Sequence, residues 1–333
     1  MINRREFMLG ASGIMLSMVT DEKQQTIPLR EAAPNTMHKH AKVSIIKTSD
    51  RSAGVKRSID LLDINPITGK EVLLKPNFNS ADAFPGSTHN DTLLNLIKHL
   101  KTMGAKSITL GERCGPGSTA RVLKEKGIYD LCEKQNVRII NFEDLPDSQW
   151  VKVKPEKSHW NDGFDVAKPV VDAECIVSTC CLKTHGYGGV FTMSLKLSVG
   201  LTHKRNMSEL HTSFKSMRKM IAEINQAYTP SLIVMDAIEA FVDGGPSSGK
   251  RKRADLIIAG TDRIAIDAVG LAVLKDLGSN DAIMKNKIFE QEQIARAVEL
   301  ALGISRPDNI ELVTDDNASR TYAEKLKGIL QRG

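Results

Sequence analysis

From Lys42 onward, short apolar runs rich in Val and Ile alternate with longer segments whose apolar residues recur at helical spacing. A chain written this way buries its short runs on both faces as strands and covers them with the intervening helices, the pattern of an α/β fold with a mostly parallel sheet flanked by helices. Runs at 43–46, 72–74, 107–110, 137–141, 175–179, 232–235, 256–259 and 310–313 are the expected strands. Helices are expected at about 53–62, 91–103, 119–127, 214–227, 263–277, 288–302 and 319–331. The one that follows Thr88, His89, Asn90 and Asp91 has a capping start, and Gly104 suits its C-terminal end. No internal repeat interrupts the alternation. At 333 residues the chain is near the size at which one hydrophobic core stops growing, so residues 42–333 are expected to form one large α/β domain or two closely joined lobes.

Hydrophobic residues at 41% with 26% charged fit a soluble globular core and exclude disorder or a membrane bundle. An aromatic content of 5% weighs against nucleic-acid binding by base stacking. The formal charge of +6 is modest, and part of it sits in one run, Lys250, Arg251, Lys252 and Arg253. That run reads either as a solvated basic loop or as a site for polyanions or phosphate. The five cysteines, Cys114, Cys132, Cys175, Cys180 and Cys181, follow no zinc or iron–sulfur spacing and read as buried thiols, with a strained vicinal disulfide between Cys180 and Cys181 as the alternative.

The first 20 residues carry Arg4 and Arg5, then Phe7 and a short apolar run broken by Gly10 and Gly13. This is too short and glycine-rich to span a membrane, and it has the charged start and apolar middle of an export signal. The order Arg4, Arg5, Glu6, Phe7, Met8 resembles the twin-arginine signal, which implies export of an already folded protein to the periplasm. No Ala-x-Ala cleavage site is evident, so the leader is either cut at a poor site or kept as an anchor, membrane contact then being confined to it. Residues 21–41, polar and containing Pro28 and Pro34, read as a flexible tether.

Ligands of open α/β sheets gather at the carboxyl ends of strands, so the loops there come first. After 72–74 come Lys75, Pro76, Asn77, Phe78 and Asn79, with Ser87, Thr88 and His89 shortly beyond; a lysine beside turn-forming and amide residues suits a carboxylate contact. After 107–110 come Gly111, Glu112, Arg113, then Gly115, Pro116, Gly117, Ser118 and Thr119, a glycine-rich turn whose amides can cradle phosphate but which lacks P-loop and dinucleotide spacing. The richest stretch is Lys183, Thr184, His185, Gly186, Tyr187, Gly188 and Gly189, followed by Ser194, Lys196, Gly200, His203 and His211. Imidazoles work as metal ligands or acid–base groups near neutral pH, and a desolvated lysine beside them becomes a nucleophile or base. Last come Asp236, then Asp243, Gly244, Gly245 and Pro246, then Asp262 and Asp267. These carboxylates suit a divalent metal or a base-orienting role, although Asp262 reads better as a helix N-cap.

In their order and approximate spacing, Lys75-Pro76-Asn77, Lys183-Thr184-His185, Ser194-Leu195-Lys196 with Gly200, Met235-Asp236-Ala237-Ile238, Asp243-Gly244-Gly245-Pro246 with Gly249, and Asp262 with Asp267-Ala268 resemble the DUF362 family. The resemblance implies an α/β fold and no settled activity. Many members carry a ferredoxin-like cysteine cluster; this chain has none, so an iron–sulfur cluster is not expected. Leu197 also stands where the family usually continues with asparagine. A more distant likeness links His185, Gly188, Gly189, Lys196, Gly200 and His211 to lactate racemase and its relatives. That likeness implies a nickel-pincer nucleotide tethered by Lys196, ligated by His211 and served by His185 as acid–base group.

These readings define an expected site. Its catalytic residues are His185, Lys196, Lys183 and Lys75; its substrate contacts are Asn77, Thr88, His89, Thr184, Gly188, Gly189 and Asp236. Lys196, Gly115, Gly117 and Ser118 are expected at a cofactor, and His211 and His203 at a metal. The expected function is that of an exported enzyme acting on a small anionic substrate, a carboxylate or a phosphate-bearing molecule, by racemase-like proton transfer or cofactor-linked redox chemistry. The alternative is a non-catalytic periplasmic protein that binds an anion, metal or cofactor for a partner complex. The cofactor stays open between a divalent metal and a nickel-pincer-type nucleotide. Nucleic acid is not an expected partner for an exported chain, and self-association is left open.

Overall fold

The computed structural model describes residues 40–333; the segment read as a twin-arginine leader and residues 21–39 of the expected tether lie outside them, and Ala41, read as the tether's end, already belongs to the first strand. Eleven strands are described: β1 (Ala41–Lys47), β2 (Glu71–Lys75), β3 (Ser107–Glu112), β4 (Arg138–Asn141), β5 (Trp150–Val153), β6 (Phe164–Ala167), β7 (Cys175–His185), β8 (Val190–Thr192), β9 (Leu232–Gly244), β10 (Gly249–Gly260) and β11 (Ile310–Val313). The main sheet runs β11-β1-β10-β9-β7-β2-β3-β4, with β8 paired to the end of β7. Every neighbouring pair from β9 through β7, β2 and β3 to β4 is parallel, as is β1 with β11, so the mostly parallel α/β sheet is the one the alternation predicts. Strand β10 is the exception, antiparallel to both β1 and β9. Residues 245–248 between β9 and β10 are too few for a crossover and permit only a hairpin.

All eight expected strands are present, several of them longer than the apolar runs. Strand β7 continues through Lys183, Thr184 and His185, which the sequence places in a loop. It holds these polar residues because their side chains find backbone partners inside: Lys183 Nζ donates to Gly86 O, and Thr184 Oγ1 to Phe241 O and Gly244 O at 3.2 and 3.1 Å. The basic run at 250–253 likewise lies in β10 instead of a loop. Arg251 and Arg253 flank Glu239 across the hairpin, Arg251 also covers the Phe241 ring, and Lys252 donates to Leu277 O. Cross-strand Glu239 thus takes two of its four charges, and the end of α9 (Arg263–Leu277) a third.

Twelve α-helices surround the sheet: α1 (Arg51–Asp60), α2 (Asn90–Thr102), α3 (Thr119–Glu125), α4 (Ile128–Lys134), α5 (Lys168–Val171), α6 (Ser194–Leu197), α7 (Met207–Thr212), α8 (Met217–Ile224), α9 (Arg263–Leu277), α10 (Asp281–Met284), α11 (Glu292–Glu299) and α12 (Asn317–Arg332). The helix expected at 119–127 is α3; Gly127, at φ +67, ends it and starts α4, which the sequence reading does not include. Asp262 caps α9 through Ile264 N and Ala265 N at 2.8 and 2.9 Å, as its position before the apolar run predicts.

Strand side chains alternate between two packed faces. Ile233, Met235 and Ala237 join Cys180 and Leu182 under α9, α11 and α12, while Leu232, Val234 and Cys181 face the side of α1 to α4. The extended backbone therefore sends the two adjacent thiols to opposite faces, and all five cysteines are free and buried. A third cluster, around Trp150, Trp160 and Met220, packs the small β5–β6 sheet against α8.

Candidate active site

Strands β2, β3 and β7 end side by side, so the residues just past their carboxyl ends meet. Lys75 closes β2 with its amine buried, donating to Pro76 O at 2.6 Å and paired with Glu112 at the end of β3. Glu112 also accepts Phe78 N at 3.0 Å and Arg113 N at 2.9 Å, which fixes the turn after each strand. Burial works against both charges, drawing the Lys75 amine down and pushing the Glu112 carboxyl up, while their mutual attraction opposes it. Arg113 turns away from solvent and donates to Thr202 O at 2.6 Å, Cys114 O at 2.9 Å and Val199 O, which holds segment 199–202 over the strand ends. Gly200 lies in that segment because a Cβ there would stand 2.9 Å from Lys75 Nζ and 3.1 Å from Glu112 Oε1.

From the neighbouring strand come Lys183 and His185. The Lys183 amine forms no ion pair among the described residues, and burial lowers its pKa. The β7–β8 hairpin places Gly189 where a Cβ would approach His185 Nδ1 to 2.9 Å and Lys196 Cε to 3.0 Å, so both side chains converge over that glycine. Lys196 is carried by the single turn α6, and α6 is anchored from α9: the Asp267 carboxylate accepts Ser194 N at 2.7 Å and Leu195 N at 3.0 Å. Burial pushes Asp267 up to about 7, against the opposing pull of the Leu195 and Ser194 N–H groups and of Arg263.

The amine of Lys196 makes no hydrogen bond or ion pair with any described residue. Burial, and then the charges of Lys183 and Arg113, bring its pKa down to about 7. Burial, then the charges of Lys196 and Lys183, push His185 down to about 2, so its ring is neutral at any ordinary pH. These groups line a cavity of about 50 Å³ together with Asn77, Asn79, Gly115, Thr192, Gly200 and Pro246. Three polar atoms of its lining, Asn77 Oδ1, His185 Nδ1 and Thr192 Oγ1, are buried and lack a hydrogen-bond partner among the described residues. Orphaned buried polar atoms are rare in folded proteins, and three around one cavity with an unpaired amine make a site for a ligand or ordered water.

Residues 72–272 match the family described as a domain of unknown function, DUF362. The chain belongs to the DUF362 family. A search of curated proteins finds no match. Among solved structures, the chain is similar to the lactate racemase apoprotein from Thermoanaerobacterium thermosaccharolyticum, at 12% identity over 86% of this chain and 85% of that one, with a TM-score of 0.45.

The DUF362 match contains every residue that lines the cavity, and the expected residues divide around it. Lys75, Asn77, Lys183, His185, Lys196 and Gly115 line the cavity, and Gly189 lies against two of them. The others are placed in the frame. Thr88 Oγ1 accepts Asn77 N at 2.8 Å and so pins the loop after β2. His89 and His203 are caps: their Nδ1 atoms accept Asp91 N at 3.1 Å and Arg205 N at 2.9 Å. Ser118 caps α3 and Gly117 provides a left-handed turn at φ +86. Gly188 is a turn residue whose carbonyl accepts from Arg218, and Thr184 is spent on backbone carbonyls. Asp236 is fully buried, paired with Arg51 Nε at 2.8 Å and with the Thr92 hydroxyl, and ties α1 and α2 to β9. Glu112, Arg113 and Thr192 were not on the expected list, although the first two stand directly at the end of an expected strand.

A metal or nucleotide cofactor fits these residues poorly. No group of three or more His, Cys, Asp or Glu side chains able to hold a metal ion occurs among the described residues. His211 lies exposed on α7 with Nδ1 on Met207 O at 2.7 Å, and His203 is occupied as a cap. A cavity of about 50 Å³ is also well below the ~300–1,000 Å³ typical of ligand pockets.

Proposed function

We propose that this DUF362 protein is an enzyme that binds a small carboxylate and moves a proton at the adjoining carbon. The observation that carries the reading is the unpaired Lys196 amine facing three orphaned polar atoms across one cation-rich cavity. Lys75, Lys183 and Arg113 bring positive charge with one carboxylate, Glu112, to offset it, so the cavity favours an anion. The Asn77 amide and Thr192 hydroxyl are positioned to hold its oxygens. Lys196, with its pKa near 7, is divided between amine and ammonium at neutral pH and can serve as base and acid in turn. The buried cations stabilise the enolate that forms when the carbon proton leaves, and the neutral His185 ring offers a second hydrogen-bonding group beside Lys196 over Gly189.

The cavity's small volume also favours a second reading, in which the protein captures an anion and performs no chemistry on it. Wild-type protein incubated in deuterium oxide with acetate, malonate, lactate and pyruvate separates the two by NMR. Enhanced exchange of a carbon-bound proton in one of these, lost in Lys196→Ala and His185→Ala, is the expected result. Saturable binding without exchange leaves the capture reading, and absence of binding overturns both. The same proposal takes this activity to lie outside the cytoplasm, a reading supported by the twin-arginine-like order Arg4, Arg5, Glu6, Phe7 and Met8.

A further inference from the structure

A cavity that admits little more than a carboxylate leaves the rest of any larger substrate outside, against whatever borders the mouth. Two of the most exposed large apolar side chains of the described chain belong to segments joined beside His185. Tyr187, 74% exposed, sits on the β7–β8 turn two residues from His185, and its ring meets the His185 ring edge-on at 6.1 Å between centroids. Phe214, 69% exposed, lies in the segment between α7 and α8. The two backbones are held together by Arg218, whose Nη1 donates to Gly188 O at 2.8 Å and Phe214 O at 3.2 Å, while its Nε is paired with Glu292. Gly188 in turn packs on Met217, the first residue of α8. A turn of three glycines would leave Tyr187 free to wander; here its carbonyl neighbour is fastened, and the exposure of both rings persists beside the site.

Exposed aromatic rings cost hydration free energy and offer flat faces that favour stacking on another ring. We propose that Tyr187 and Phe214 form a second subsite, an aromatic shelf at the cavity mouth that takes a planar ring of the substrate while its carboxylate lies beside Lys196. The proposal rests on the anion-binding reading above and narrows it to carboxylic acids bearing an aromatic ring. His211, on α7 beside the shelf, adds a further hydrogen-bonding group for a ring substituent.

Calorimetric titration of the full chain with acetate, phenylacetate and cyclohexylacetate tests it. Phenylacetate is expected to bind about tenfold more tightly than acetate and clearly more tightly than cyclohexylacetate, since stacking adds to area burial. The double variant Tyr187→Ser with Phe214→Ser, at positions too exposed to affect folding, is expected to reduce phenylacetate to the affinity of acetate and to leave acetate unchanged. Lys196→Ala weakens all three. Equal binding of acetate and phenylacetate by the wild type, or a ring preference that survives the double variant, overturns the shelf while the anion site stands; failure of every carboxylate to bind overturns both.

Discussion

Replacing Lys196 by Met removes the amine and keeps much of the side chain's volume, and its effect on stability follows from where that amine sits. In the unfolded chain the lysine titrates near 10.5; in the fold it is brought to about 7. That difference corresponds to roughly 5 kcal/mol at about 1.36 kcal/mol per pH unit, and because the side chain keeps some solvent contact, the measurable part is taken as about 2–3 kcal/mol. A lysine whose folded pKa is depressed binds fewer protons folded than unfolded between these values, so wild-type stability rises with pH from about 7 to 10.5 and is lowest below 7. The variant lacks this dependence. It is therefore expected to be more stable than wild type by about 2–3 kcal/mol at pH 6, with the gap closing steadily above pH 7. Urea unfolding at half-unit intervals from pH 6 to pH 10, with equal slopes in both proteins, reads the difference directly. A variant less stable than wild type at pH 6, or a gap that does not change with pH, would refute the claim that this amine is desolvated and unpaired.

Gly189→Ala places a methyl 2.9 Å from His185 Nδ1 and 3.0 Å from Lys196 Cε; acetate affinity is expected to fall about tenfold, ~1.4 kcal/mol by calorimetry, with a melting temperature within about 3 °C of wild type. Asp236→Asn leaves Arg51 without its buried partner and is expected to cost about 3 kcal/mol in urea unfolding while acetate affinity stays the same; the reverse pattern would return Asp236 to the site. Changing Arg4 and Arg5 together to Lys keeps the leader's charge and removes the paired guanidinium groups, so cell fractionation is expected to find the protein retained in the cytoplasm.

The sheet was legible because parallel strands buried on both faces leave continuous apolar runs, as at Leu232–Gly244 and Cys175–His185. What escaped were elements defined by pairing alone. Strands β5, β6 and β8 lie outside the alternation of strand and helix, β5 and β6 pairing only with each other and β8 folding back on β7, whereas the equally short β4 and β11 sit within it. The expected site was half legible for a related reason. Lys75, Lys183 and His185 end adjacent parallel strands, so their convergence follows from strand order. Histidines carry no such positional signal: His89 and His203 use Nδ1 to cap neighbouring backbone, as Asp or Asn would, and nothing in the sequence separates a capping imidazole from a catalytic one. Arg113 escapes because a buried guanidinium spent on carbonyls and the Met207 sulfur reads, along the chain, like any surface arginine.

The charge inventory carries one consequence further. Lys75 has Glu112, and Arg113 has its carbonyls, but neither Lys183 nor Lys196, which share the cavity, forms an ion pair among the described residues. The folded protein therefore holds uncompensated positive charge that an entering anion relieves, and this relief is larger when Lys196 is protonated. Binding to the folded state alone stabilises by RT ln(1 + [L]/Kd), about 2.7 kcal/mol at a hundredfold excess over Kd. If Kd is lower below pH 7 than above it, a fixed acetate concentration raises the melting temperature more at pH 6 than at pH 9. The same comparison on Lys196→Met isolates the amine, because the pH dependence of the shift is expected to disappear there while a smaller, constant shift from Lys75 and Lys183 remains. An acetate shift equal at both pH values in the wild type would mean that the anion does not meet Lys196, and the assignment of the base would move to another residue of the cavity.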